Sequence, residues 1–151
     1  MNEFDSESLP AFHAWRSGFE PPPDAYAYMA EHLGVASAFF FARLLAPDLV
    51  LERGCVLLKD RYSPENFEQW WSSEAGSSVS IERAVNHLHL WDLFEPEGEV
   101  EERALEILAA RIARSWELHA AQSFPDRDFQ VDVTDDYGPT IVMSSRPRSS
   151  P

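Results

Sequence analysis

The stretch AVNHLHLWDLF, residues 84–94, decides how the middle of the chain is read. As a strand it would place His87 and His89 on one face, because positions i and i+2 point the same way. As a helix it would send them about 200° apart around the axis. Serines at 78 and 80 supply helix-start signals just ahead of it, and residues 81–94 are long for a strand. The stretch is therefore expected to continue a helix that begins near Ser78 or Ser80 and runs to about Phe94.

That reading removes the simplest metal site. Helical zinc sites use histidines at i and i+4, but those positions here are Trp91 and Leu93. His89 with Asp92 at i+3, joined by His119 from the next helix, is the remaining arrangement. No metal and no cofactor are expected, and the histidines are expected to hydrogen-bond between helices. Asn86 lies among apolar neighbours, and a buried amide must find partners. With His87 and His119 it could line a pocket or stitch helices together; stitching is the expectation.

Working outward, residues 100–121 keep Leu105, Leu108, Ile112 and Trp116 on one helical stripe, with Glu99, Glu101 and Glu102 at the positive end of the dipole. Beyond Pro125, FQVDVTDDYGPTIVMSS alternates with period two around the turn residues DDYGP, which predicts a C-terminal hairpin over 128–145. Upstream, the short apolar runs flanking ERG predict strands near 48–58. Ser63 and Pro64 open a helix carrying Phe67, Trp70 and Trp71 on one face. Asp24 caps a helical stretch that ends before Pro47, with Gly34 as a break. Met29, Leu33, Ala36 and Phe40 form its stripe. Phe39 and Phe41 widen the apolar surface, which predicts burial on more than one side.

The expected fold is α+β: four main helices with a small antiparallel β-sheet. Residues 1–23 form an aromatic and proline-rich arm packed on the body, 24–145 a single domain, and 146–151 a disordered tail. A chain of 151 residues suits one domain, and ten Phe, five Trp and four Tyr supply core area. The start lacks a basic region followed by an apolar one, so no signal peptide is expected. The apolar run at 33–45 is interrupted by Arg43 and is too short to span a bilayer. One cysteine, Cys55, allows no intrachain disulfide. Together these features suggest a cytoplasmic protein.

Charge narrows the partners. Twenty-six acidic residues against twelve basic ones give a net charge of −14. Nucleic-acid binding needs clustered cations, whereas this chain has one lysine, Lys59, and scattered arginines. Nucleic acid and anionic membranes are disfavoured, and a protein with a basic surface is favoured. Glu95, Glu97, Glu99, Glu101 and Glu102, with Asp135 and Asp136 of the hairpin turn, are the candidate contacts.

Catalytic signals are weak. Cys55 lies in an apolar run that makes a thiol inert. There is no Gly-x-Ser-x-Gly elbow and no glycine-rich phosphate loop. The leading expectation is an acidic protein-binding domain, of the inhibitor or immunity type that neutralises a basic effector. The alternative is an enzyme or small-ligand domain whose pocket is lined by Asn86, His87, His89, Asp92 and His119. A homo-oligomeric structural protein, with the N-terminal aromatics or Trp70 and Trp71 at the interface, is the third.

Overall fold

The computed structural model describes residues 4–149. Among them are six α-helices and five strands: α1 (Pro10–Arg16), α2 (Ala25–His32), α3 (Val35–Leu45), β1 (Leu49–Glu52), β2 (Cys55–Leu58), α4 (Pro64–Ser73), α5 (Ser78–Val85), β3 (His87–His89), α6 (Glu99–Ser123), β4 (Arg127–Asp135) and β5 (Pro139–Pro147). The α+β class and the C-terminal hairpin agree with the sequence reading. The helix count is higher than four because the arm carries α1 and because the chain breaks at Leu33 and Gly34, between α2 and α3. No described helix is long and apolar enough to cross a membrane.

Local signals account for most boundaries. The Asp24 carboxylate accepts from the Ala27 N–H at 3.0 Å, and the Ser63 hydroxyl accepts from Asn66 N–H at 3.2 Å with Pro64 in the first helical position. Arg53 and Gly54, with φ of 47° and 81°, make the tight turn between β1 and β2. Arg146 and Pro147, expected in a disordered tail, belong to β5, and Arg148 donates to Asp128 at 2.8 Å.

Two antiparallel sheets result, β1–β2 and a three-stranded sheet in the order β3–β5–β4. α6 crosses the latter, and Leu105, Ala109, Ile112, Trp116 and Ala120 pack on Leu88, Leu90, Ile141 and Met143. A second core gathers Cys55, Leu57, Phe67, Ile81 and Val85. β2, buried along its whole length, contributes to both. In the arm, Phe12 and Trp15 of α1 stack edge-on to Tyr28 of α2, and Trp15 Nε1 donates to Glu31 at 2.9 Å.

One expectation fails in the middle of the chain. α5 stops at Val85, and residues 87–89 pair with β5 in the register His87↔Val142, Leu88↔Ile141, His89↔Thr140. A single 3-10 turn, Leu90–Asp92, follows. The helix ends where Asn86 adopts φ −89°, ψ 62°. Its carbonyl then accepts from Met143 N–H at 3.0 Å, so sheet pairing replaces the next helical bond.

Candidate functional site

The gap between the two sheets is bridged by side chains instead of a strand ladder. Val56 and Leu58 turn their free backbone groups away from β1 and toward α5. Asn86 accepts from Leu58 N–H at 2.8 Å and donates through Nδ2 to the Val56 carbonyl at 2.7 Å and, weakly, to the Met143 carbonyl at 3.4 Å. One helical turn earlier, Glu82 accepts from Val56 N–H at 2.7 Å and from both the backbone N–H and the hydroxyl of Ser145. Both side chains are fully buried. The i, i+4 spacing puts them on one helix face, so α5 laces β2 to β5. Arg127 closes the network, donating to Ser145 Oγ at 3.0 Å and to the Gly54 carbonyl at 2.8 Å, and standing 3.8 Å from Glu82.

Burial pushes the Glu82 carboxyl above its usual range, although donors from Ser145 and Val56 and the Arg127 charge pull the other way. Burial also pushes the Cys55 thiol up to about 11, with the Glu82 charge adding to it. A thiol held there is protonated and unreactive.

The five pocket candidates take different places. Asn86 is used up in the lacing. His87 and His89 share one face of β3, their ring centroids 5.1 Å apart, which overturns the helical geometry that sent them to different faces. His119 donates from Nε2 to the Pro47 carbonyl at 2.9 Å, and Asp92 is exposed. Among the described residues no three His, Cys, Asp or Glu side chains gather as a metal centre.

The acidic candidates are surface residues: Glu95, Glu97, Glu99, Glu102, Asp135 and Asp136 are exposed and Glu101 is half-buried. A groove of about 410 Å³ brings Glu102, Glu106 and Asp135 beside Trp91. Trp91 lies so close over Gly138 that an added Cβ would meet the indole at 2.5 Å. Position 138, at φ +71°, thus needs glycine for its backbone and for its neighbour.

The largest departure from the sequence reading is α3. It was expected to be buried on more than one side, yet none of its eleven residues is buried. Val35 is 89% exposed, Phe39 64%, Phe40 63% and Phe41 38%. The helix is held by its C-terminal end. Ser115, Trp116 and His119 of α6 donate to the carbonyls of Leu45, Leu44 and Pro47, satisfying groups a helix end leaves open. Met29, Leu33 and Tyr26, on and just after α2, are exposed as well. Beside Phe40 opens a cavity of about 220 Å³, floored by Leu44, Leu58, Leu88 and Trp116 and rimmed by Arg43, Asp48, Asp60, Arg61 and His87. Arg43 pairs with Asp60 at 2.7 Å and Asp48 at 3.3 Å. Sequence reasoning singled out neither the cavity nor α3 as a surface; the run of three phenylalanines was the only signal available.

Compared with known proteins, the chain matches no family model, no curated protein and no solved structure.

Proposed function

We propose that this chain works by binding another protein, with the apolar face of α2 and α3 as the contact and the acidic surface selecting a basic partner. The exposure of Phe39 and Phe40, neighbouring rings 5.6 Å apart on a helix with no buried residue, carries the reading. Isolated surface hydrophobes are ordinary, but a contiguous apolar patch is the mark of an interaction site. Aromatic anchors seated against pockets supply most of the binding energy at interfaces. The cavity beside Phe40 can take one such anchor from the partner. The net charge of −14 would speed the encounter with a basic protein and disfavour acidic ones. An inhibitor or immunity-type role against a basic effector is the finer form of this proposal.

The test is capture from a lysate of the native host, with wild type and Phe39→Ser/Phe40→Ser compared at low and high ionic strength. The expected result is a basic protein retained by the wild type, released by salt and absent with the variant. The same recovered set for both baits would overturn the reading. Dimerisation of the chain in sedimentation, abolished by the same substitutions, would replace it with self-association.

A further inference from the structure

We propose that His87 and His89 form a two-imidazole chelate for a divalent transition ion of the zinc, nickel and copper group. The inference does not rest on the protein-binding proposal, although His87 also rims the cavity beside Phe40.

Strand geometry supplies the first support. β3 places both rings on one face, with centroids 5.1 Å apart and planes inclined by 67°. An ion about 2.0–2.1 Å from an imidazole nitrogen lies about 3.2 Å from that ring's centre. Two rings sharing an ion at a near-tetrahedral angle therefore stand about 5 Å apart, the spacing seen here.

Hydrogen bonding supplies the second, because it sets which nitrogen of each ring carries the proton. His87 Nδ1 lies 2.8 Å from the Ala84 carbonyl, an oxygen that can only accept, so Nδ1 is the protonated nitrogen. His89 Nδ1 lies 2.7 Å from Thr140 Oγ1. The Thr140 hydroxyl faces the carbonyls of Gly138 at 3.0 Å and Asp136 at 3.3 Å, which take its single proton. Thr140 Oγ1 is left to accept from His89 Nδ1–H. Both rings thus keep a bare Nε2, and neither Nε2 has a hydrogen-bond partner among the described residues. A ligating histidine normally donates its other N–H to a carbonyl or a similar oxygen, which fixes the ring and raises its basicity. Both Nδ1 atoms already do so in the metal-free chain.

Imidazole nitrogens suit zinc, nickel and copper, and a strongly negative chain raises the local concentration of any cation. Two ligands leave positions open for water or for a side chain from outside.

The test uses tag-free full-length chain titrated with zinc or nickel chloride in a calorimeter, and with cupric ion followed by electron paramagnetic resonance. The expected result is one saturable equivalent, bound at least tenfold more weakly by His87→Ala and by His89→Ala, and unchanged in His119→Ala. The cupric spectrum of the wild type should show two coordinating imidazole nitrogens. This readout does not depend on whether the variants fold. Long-range proton–nitrogen correlation of the metal-free wild type should find both rings protonated at Nδ1. No saturable binding, one coordinating imidazole, or an Nε2–H form of either ring would overturn the proposal.

Discussion

Asn86→Ala is the sharpest probe of how the two sheets are held together. The substitution orphans two buried backbone groups, Leu58 N–H and the Val56 carbonyl, which now have partners at 2.8 and 2.7 Å. Each costs about 1–3 kcal/mol when left unpaired in the interior, so the loss should be about 4 kcal/mol. The 3.4 Å contact to the Met143 carbonyl adds little, since hydrogen bonds weaken at that length. Against a typical total stability of about 5–15 kcal/mol this is a large fraction. Urea unfolding followed by tryptophan fluorescence reads it as a fall in midpoint at constant slope. Asn66→Ala, at an exposed position of α4, serves as the control and should shift stability by less than about 0.5 kcal/mol. A loss below about 1 kcal/mol for Asn86→Ala would refute the reasoning, because it would mean the orphaned groups find other partners at little cost.

Two further outcomes follow from the same network. Glu82 titrates above the usual glutamate value of 4.5 because it is buried, so the folded chain holds its proton over a pH range in which the unfolded chain has lost it. Stability relative to Glu82→Gln should therefore fall as pH rises from about 4.5 through the raised folded value, then level off; urea midpoints for both proteins across that range check it, and a relative gain with rising pH would contradict it. Cys55, fully buried with its thiol pushed up to about 11, should resist a thiol-reactive disulfide reagent at neutral pH in the native state and release one equivalent once unfolded.

What the sequence made legible were the elements whose signals are local. Ser63–Pro64 opens α4 where the capping chemistry requires, and the alternation through Phe129, Val131 and Val133 becomes β4. β3 was not legible as a strand, because three residues are too few for a period to stand out. Its stability comes from pairing with β5, more than fifty residues away in the chain. The alternation His87, Leu88, His89, Leu90 was nevertheless present, with both leucines buried. Asn86 was marked as a buried amide needing partners, and it does bridge separate elements, though it joins two strands to α5 instead of two helices. Glu82 was missed because its partners Ser145 and Arg127 lie in distant strands. Periodicity could group the apolar residues of α3 but could not say whether anything covers them. That depends on tertiary contacts, and here only the C-terminal end of the helix is tied down by α6.

The most direct measurement of the binding proposal places a photo-crosslinking benzoylphenylalanine at Phe40 in the native host, with the same group at exposed Ser73 of α4 as the control. A single dominant crosslink from position 40 to a basic protein is expected, and none of it from position 73. Crosslinks from position 40 only to other copies of this chain, or the same pattern from both positions, would contradict it.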